Sequence, residues 1–316
     1  MTDRWVLPLG SAEREDWQVV VDETVGGWQY TGLYAGSLLP GQERGLSTGR
    51  RELVVVPLSG SVDVQCTESN GSVSTVRLTG RASVFAGPAD VAYVPRDSDV
   101  VLEATEPCRL ALAVAVVPAE PSGDVPQFQH LSAADVPVEL RGAGQASREV
   151  RNFGVPGVLD AEALIACEVI TPAGNWSSYP PHKHDERREG VESQLEEIYY
   201  HEVQPIAGAP EGVDPVAYLR VYGAPDREID VFAEVRSGDV VLVPHGWHGP
   251  AMAAPGYDLY YLNVMAGPGP ERAWLICDDP AHAWVRETWT TQDVDPRLPL
   301  GGPWRGPSGH PQGGTR

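Results

Sequence analysis

The chain has 316 residues, of which 23 are lysine or arginine and 44 are aspartate or glutamate, so the formal net charge is −21. That length is enough for one large domain or two ordinary ones, which excludes the small scaffolds that depend on disulfides. A strongly acidic protein repels phosphate backbones and anionic lipid, so we expect neither nucleic acid nor a membrane surface as a partner. An anionic small substrate would need a local positive charge in the protein.

The N-terminus and the cysteines indicate the cellular compartment. Met1-Thr-Asp-Arg-Trp5 has no basic start followed by an apolar run, so no secretory signal is predicted. No apolar stretch approaches the ~20 residues that span a bilayer. The four cysteines are scattered without a C-x-x-C spacing, which favours reduced thiols. We expect a soluble, cytoplasmic protein, and the sequence leaves open whether it forms a homo-oligomer.

Short β-branched or alternating runs, separated by Gly, Pro, Asn and Asp, recur along the chain, and helical periodicity is scarce. This pattern predicts an all-β protein with a few short helices. Strands are predicted in the first half at Trp17 to Asp22, Leu53 to Pro57, Ser61 to Cys66, Ser74 to Leu78, Val91 to Val94, Val100 to Ala104 and Arg109 to Val117. Asn70-Gly71 lies between two of them and predicts a hairpin with a type I′ turn.

The second half continues the same pattern. Strands are predicted there at Leu164 to Ile170, Glu197 to Val203, Val216 to Tyr222, Ile229 to Val235, Val240 to Val243 and Leu259 to Met265. Short helices are predicted at Ala133 to Asp135, Asp160 to Ala163 and Ala281 to Thr288. Asp279 and Pro280 directly precede the last of these and are typical of a helix start. Residues 301–316, rich in Gly and Pro, have the composition of a flexible tail.

A weak internal repeat bears on the number of domains. Val91-Ala-Tyr-Val-Pro95 aligns with Val240-Val-Leu-Val-Pro244, and the alignment sets Asp99 opposite His248. Each copy is predicted to be a strand, a turn at proline and a second strand. The repeat predicts two β domains of one architecture, residues 1–150 and residues 151–300.

Histidines mark the second half as the site of the chemistry, because five of the eight fall between His182 and His248. On a strand, His182 and His184 point to one face, so both imidazoles can project into a barrel and bind one metal ion. Lys183 alternates away from them and is expected to be solvated. Further along, a Gly-x5-Pro-x-Gly-x-His segment ends at His248. Together these residues predict a metal site with histidine ligands.

Two carboxylates compete for the fourth ligand position. Glu189 lies five residues after His184, but its surroundings read as a polar loop. Glu197 begins an apolar strand, which suits a buried ligand, and we favour it. Glu196 would then point the opposite way, toward solvent or a subunit contact. Three histidines and one carboxylate suit Zn, Mn, Fe, Ni or Co, and we expect one divalent ion, zinc first among these.

These segments resemble the two motifs of the cupin superfamily, Gly…His-x-His…Glu and Gly…Pro-x-Gly…His. More narrowly, the chain is similar to the 5-deoxy-glucuronate isomerase family of myo-inositol catabolism. Five segments carry this similarity. They start with the sequences Tyr179-Pro-Pro-His-Lys-His-Asp, Leu195-Glu-Glu-Ile-Tyr-Tyr, Val243-Pro-His-Gly-Trp-His, Gly256-Tyr-Asp-Leu-Tyr-Tyr and Trp274-Leu-Ile-Cys-Asp-Asp-Pro. The resemblance implies a bicupin whose first domain is degenerate and lacks metal ligands. Matched to the related ketol-isomerase of pectin breakdown, the ligands are His182, His184, Glu197 and His248.

The resemblance also implies a reaction, the conversion of the aldose 5-deoxy-D-glucuronate to the ketose 2-deoxy-5-keto-D-gluconate through an enediolate. A divalent metal would stabilise the enediolate, and a base must reach both carbons. Candidates for the base are Tyr199, a metal-bound water or hydroxide, His245 and His201, of which His201 reads better as structural. The small anionic sugar-acid substrate needs a cation for its carboxylate. Arg220 is preferred over Arg272, Arg187 and Arg188 because it lies in a predicted strand, and Tyr261 is a further candidate contact.

Two other functions are compatible with the same residues. Iron cupins use similar ligands for dioxygen chemistry, so a dioxygenase is one alternative. A cupin that binds a sugar acid or stores metal without turnover is the other. No Gly-x-Ser-x-Gly elbow, phosphate loop or dinucleotide fingerprint is present in the sequence.

Overall fold

The computed structural model describes residues 4–121, 123–224 and 226–301. Its strands up to residue 141 are β1 (Val6–Leu7), β2 (Val19–Val21), β3 (Thr31–Leu38), β4 (Glu43–Ser47), β5 (Arg51–Thr67), β6 (Val73–Arg81), β7 (Val91–Val94), β8 (Asp99–Glu103), β9 (Cys108–Val116), β10 (Gln129–Leu131) and β11 (Val138–Arg141). The later strands are β12 (Arg148–Gly154), β13 (Ile165–Thr171), β14 (Trp176–Ser177), β15 (His182–Lys183), β16 (Asp185–Arg188), β17 (Glu192–Gln194), β18 (Glu196–Pro205), β19 (Ala217–Ala224), β20 (Arg227–Val235), β21 (Val240–Val243), β22 (Trp247–Ala253), β23 (Tyr257–Ala266) and β24 (Cys277–Asp278). The helical elements are α1 (Val285–Thr288) and the 3₁₀ turns Val84–Ala86, Gly144–Ala146 and Trp289–Thr291.

The prediction of an all-β chain with few helices is confirmed. Strands β7 and β21 have the predicted bounds, whereas the two strands predicted at residues 53–57 and 61–66 are one continuous strand, β5. The helices predicted near residues 133 and 160 are not helical, and the one near residue 281 is shortened to α1. All but the first residue of the predicted tail at 301–316 lie outside the described residues.

The hairpin predicted at Asn70-Gly71 joins β5 to β6, but its turn type is different. Gly71 N–H donates to the Glu68 carbonyl, and Glu68 N–H donates to the Ser72 carbonyl. Only Gly71 in this loop has a positive φ, of 84°. A type I′ turn needs positive φ at both central residues, so this is a three-residue loop with glycine in the left-handed position.

The strands form two large sheets and one of intermediate size, and every pairing is antiparallel. The seven-stranded sheet has the order β1-β21-β18-β23-β13-β12-β11, and the six-stranded sheet has the path β20-β19-β22-β15-β24 with β14 paired to β22. The nine-stranded sheet of the first half follows β10-β7-β5-β9-β3-β2, with β4, β6 and β8 attached through the long strand β5. Strands β16 and β17 form a separate hairpin.

Three apolar clusters fill the spaces that these sheets enclose. One belongs to the first half, one lies between the seven-stranded and six-stranded sheets, and the third joins side chains of both halves. The side chains of consecutive residues in one strand pack in different clusters, because they point alternately to the two faces of the sheet. Tyr199 and Tyr261 thus face the space between the seven-stranded and six-stranded sheets, which we call the second barrel, whereas Tyr200 and Tyr260 face the first half.

Glu196 is one of the groups that join the two halves, which corrects the expectation that it faces solvent or another subunit. Its carboxylate accepts backbone N–H groups from Tyr30 and Thr31 at 2.5 and 2.7 Å. The side chain is buried against the first half of the same chain.

The internal repeat has a counterpart in the structure. Strands β7 and β21 have four residues each, both are followed by proline, and each pairs with the long strand β5 or β18. The division at residue 150 stays a prediction, and strands β1, β11 and β12 belong to the seven-stranded sheet of the second half. Within the described residues, no helix has the length and apolar character required to cross a membrane.

Candidate metal centre

The second barrel brings three histidines together in its interior. His182 on β15 lies directly opposite His248 on β22, and His184 follows two residues after His182 on the same face. The ring centroid of His248 is 4.5 Å from that of His182 and 4.6 Å from that of His184. Ligand atoms of the three histidines all lie within 4.8 Å of one another, and all three residues are buried.

Hydrogen bonds to the backbone orient each of the three rings. Nδ1 of His248 lies 3.1 Å from the Gly246 carbonyl oxygen. Nδ1 of His182 and Nδ1 of His184 lie 3.4 Å from the carbonyl oxygens of Pro180 and Leu195. A proton on Nδ1 that is donated to a carbonyl leaves the lone pair on Nε2, which is the arrangement of a metal-binding histidine.

Glu197 completes the cluster from β18. Its Oε2 lies 3.1 Å from Nε2 of His184 and 3.1 Å from Nε2 of His248. Burial opposes the charged form of this carboxyl, but its interactions with the two nearby histidines outweigh burial and lower its pKa to about 2. Glu189, the competing carboxylate, is exposed in the turn between β16 and β17. The structure thus places Glu197, and not Glu189, beside the histidines.

The side chains of this cluster fit a divalent cation better than they fit one another. Nε2 of His248 is buried without a hydrogen-bond partner. Burial and the neighbouring imidazoles hold the pKa of His182 well below its usual value, so this ring is neutral. Three imidazoles and one carboxylate around a common point form a mixed nitrogen and oxygen set that suits Zn, Mn, Fe, Ni or Co.

Lys183 is buried, which corrects the expectation that it is solvated. Its Nζ donates to Asp185 at 2.6 Å and to Glu192 at 2.8 Å. The side chain points away from the histidines as predicted, but it enters an acidic cluster at the β16–β17 hairpin. These bonds tie β15 to the neighbouring hairpin and hold the histidine pair in place.

A set of hydroxyl groups lies beside the histidines, and Ser178, which links the two predicted tyrosines, was not identified from the sequence. Ser178 Oγ is 3.2 Å from the hydroxyl of Tyr199 and 3.2 Å from the hydroxyl of Tyr261. The Tyr199 ring lies 6.2 Å from the His248 ring and 5.0 Å from the Tyr261 ring. Ser178 has φ of 46°, a conformation that non-glycine residues adopt rarely and often at functional sites. In the sequence, the position of Ser178 just before the Tyr-Pro-Pro-His segment was the feature that could have identified it as a site residue.

Both tyrosines keep their protons in this environment. Burial, helped by the charges of Glu197 and Tyr261, raises the pKa of Tyr199 well above its usual value. Burial also raises the pKa of Tyr261 to about 12, despite its bonds with the serines.

The other two candidate histidines lie outside the cluster. His201 is buried beneath the tyrosines, stacked on Tyr199, and its Nδ1 lies 3.2 Å from the Asp239 carbonyl oxygen. Burial lowers the pKa of His201 to about 4. His245 follows the end of β21, is partly exposed and is not part of the histidine group. The proximity of Tyr199 to the cluster makes it the better placed of the two predicted catalytic residues.

None of the four arginines proposed for the substrate carboxylate reaches the cluster. Leu219 and Val221 face the barrel interior, so Arg220 between them faces outward, where it pairs with Asp230. Arg272 donates to three backbone carbonyls, Arg188 pairs with Glu192, and Arg187 is exposed. The preference for Arg220 rested on its strand and could not tell which face of that strand it occupies.

Known proteins match most of the length of this chain. Residues 5–285 match the KduI/IolB family. The 5-deoxy-glucuronate isomerase of Geobacillus thermodenitrificans is 38% identical over 285 residues, which cover 90% of this chain and 97% of that protein. The crystal structure of an IolB-like protein from Salmonella typhimurium superposes with a TM-score of 0.77 at 33% identity, covering 89% of this chain and 98% of the other.

A more distant structural neighbour bears on the fold alone. The oxalate decarboxylase of Lactobacillus farciminis superposes with a TM-score of 0.62 at 13% identity, covering 88% of this chain and 89% of the other. Together with the antiparallel sheets described above, these neighbours confirm that the fold is a bicupin.

Proposed function

This chain belongs to the KduI/IolB family, and from that premise we propose that it is a metal-dependent aldose–ketose isomerase of 5-deoxy-D-glucuronate. Relatives in the family that are named as isomerases match most of the chain, so the protein is an isomerase and an enzyme. The proposal adds the substrate, the product 2-deoxy-5-keto-D-gluconate, a role in myo-inositol catabolism and a cytoplasmic location. Substrate and product are isomers, so no co-reactant is needed.

The observation that carries the proposal is the convergence of the buried side chains of His182, His184 and His248 with that of Glu197. These four side chains would hold one divalent ion. When bound, the ion supplies positive charge beside the carbonyl and hydroxyl oxygens of an aldose and stabilises the negative charge of an enediolate. Zinc is our first expectation for the metal.

The tyrosine and serine hydroxyls support the proton movements of an isomerisation. Tyr199 holds its proton at Oη and lies on the same face of β18 as Glu197. Ser178 Oγ links it to the hydroxyl of Tyr261, so a proton given by one tyrosine can be replaced through the serine. Burial of all three residues limits the access of water, which protects a reactive enediolate.

The test is incubation of the purified full chain with 5-deoxy-D-glucuronate in the presence of Zn, Mn, Fe, Ni or Co in turn, followed by NMR. Appearance of the ketose with at least one metal is the expected result, and no ketose with any of them would refute the proposal. Oxygen consumption with Fe(II) would instead support a dioxygenase. Binding of the sugar acid without turnover would support a binding protein.

A further inference from the structure

Four arginines are buried among the described residues, Arg81, Arg96, Arg148 and Arg151. Three of them have a carboxylate partner within ion-pair distance, namely Glu168, Asp97 and Glu149 in that order. Arg148 is only 5% exposed, and no carboxylate of the described residues lies within that distance. A buried cation without a counter-ion is costly and needs a reason.

Arg148 faces the interior of the second barrel. It shares a face of β12 with Val150, and Val150 packs in the same apolar cluster as Tyr199 and Tyr261. The charge of Arg148 contributes to the electrostatic environment of the Tyr261 hydroxyl. Arg148 therefore lies on the same side of the sheet as the candidate metal centre.

The guanidinium of Arg148 has N–H donors that make no hydrogen bond with the described residues. Nη1 donates to the Ala146 carbonyl at 3.0 Å and to the Tyr179 carbonyl at 3.5 Å. Nε and Nη2 make no hydrogen bond with the described residues, which leaves free the two-pronged edge that binds a carboxylate. The Tyr179 contact ties Arg148 to the segment that leads directly into the His182 and His184 pair.

A cavity of about 330 Å³ is lined by residues that contact this arginine, although Arg148 itself is not part of the lining. Its lining includes Ala146 and Tyr179, which accept hydrogen bonds from Arg148, and Trp289, whose ring centroid lies 5.4 Å from the Arg148 guanidinium carbon. The volume is at the lower end of the range for small-ligand sites. A single sugar acid is of the right size for it.

Neighbouring cations reinforce the local positive field. Arg141 lies directly opposite Arg148 on β11, and the Arg286 guanidinium carbon is 5.1 Å from the Trp289 ring centroid. Burial and the charges of these two arginines lower the pKa of Arg148 to about 9, so it is still mostly charged at neutral pH. Arg141 and Arg286 are themselves paired with Glu139 and Asp278.

We propose that Arg148 binds the carboxylate of the substrate and selects uronates over neutral sugars. This inference rests on the proposed function, because it places the aldehyde end of the same molecule at the metal centre. The carboxylate is at the far end of the carbon chain from the aldehyde, so the two ends occupy separate subsites. Bound substrate supplies the counter-ion that Arg148 lacks.

The test compares the affinities of the metal-loaded full chain for D-glucuronate and D-glucose by calorimetry, since these sugars differ in the carboxylate. The wild type should bind the uronate on the order of 10- to 100-fold more tightly, as expected for a charge-assisted bond. Arg148→Met should remove this preference, and Arg148→Lys should retain part of it. Arg236→Met, at an exposed arginine paired with Asp214, is the matched control and should behave as the wild type.

An unchanged preference for the uronate in Arg148→Met would overturn the inference, with or without a loss in Arg220→Met. If that variant also melts well below the wild type, Arg148 is structural.

Failure of the inference and failure of the proposed function give different results. If the wild type forms no ketose and the Arg148→Met protein loses the preference for the uronate, the proposed reaction is wrong and the carboxylate site stands. If the wild type forms the ketose and the Arg148→Met protein keeps its preference and its KM, the reaction stands and the carboxylate site is refuted.

Discussion

Glu196 and Glu197 are consecutive residues whose carboxylates have opposite surroundings, and this makes them a matched pair for testing the metal centre. Glu197 is the only negative charge within 3.1 Å of the His184 and His248 Nε2 atoms among the described residues. Outer-shell substitutions already cost about 10- to 100-fold in metal affinity. Glu197→Gln removes a direct ligand and its charge, so the loss should be at least that large while the protein stays folded.

Glu196→Ala should have the converse effect. It leaves the N–H groups of Tyr30 and Thr31 without their acceptor, and an unsatisfied buried donor costs about 1–3 kcal/mol. Two such donors would cost about 2–6 kcal/mol. Burial raises the pKa of Glu196, so loss of the buried charge offsets part of this cost and the net destabilisation should be about 2–4 kcal/mol. Metal content should be unchanged.

The assay is metal analysis by mass spectrometry together with thermal unfolding, on both variants and on Glu189→Gln. Glu189 is exposed, so its variant should match the wild type in both measurements. Full metal occupancy in Glu197→Gln, or metal loss in Glu189→Gln, would refute the assignment of the carboxylate. If Glu196→Ala loses as much metal as Glu197→Gln, the loss would reflect disruption of strand β18 and not removal of a metal ligand.

The remaining predictions concern the surroundings of the cluster. Tyr199→Phe should lower kcat by about 10²- to 10⁴-fold with normal metal content, because it removes a proton-transferring hydroxyl. His245→Ala should change kcat much less. A larger loss of kcat in His245→Ala than in Tyr199→Phe would assign the proton transfer to His245. Gly249→Ala should lower both the melting temperature and the metal affinity, since the new Cβ would lie 1.9 Å from the Ser178 carbonyl oxygen at φ of 91°; a normal melt would contradict the close packing beside His248. Chelation of the metal should lower the melting temperature, and added Zn should restore it. At a thousandfold excess of Zn over its Kd, binding should raise the free energy of unfolding by about 4 kcal/mol. Identical melting temperatures with and without metal would indicate that no ion binds the folded state.

The parts of the site that alternate along one strand could be predicted from the sequence. His182 and His184 share a face, Lys183 takes the other, and Tyr260 and Tyr261 alternate, with Tyr261 facing the barrel in the structure. Strand periodicity specifies these faces without knowledge of the fold. It does not specify what the opposite face meets, which is why Lys183 was expected in water and lies instead among carboxylates.

Strand β12 shows why the remainder of the site escaped prediction. Its sequence, Arg148-Glu-Val-Arg-Asn-Phe-Gly154, is charged at alternate and adjacent positions and resembles a polar loop. Both faces are nevertheless buried, because Arg151 pairs with Glu149 at the junction of the two halves. Buried ion pairs between distant segments cannot be recognised by hydrophobic periodicity. The arginine that faces the barrel interior was therefore hidden in a segment that did not look like a strand.

If Arg148 binds the substrate carboxylate as proposed, it and the net charge of −21 would together favour anions with a single charge. The overall field repels anions at long range, most strongly those with several charges, and salt screens it beyond about 10 Å. A buried guanidinium acts at short range and is screened much less, so it attracts a carboxylate that has already entered the barrel. A singly charged sugar acid meets little long-range repulsion and gains the full short-range contact. A polyphosphorylated sugar meets the largest repulsion and finds only one unpaired buried arginine among the described residues.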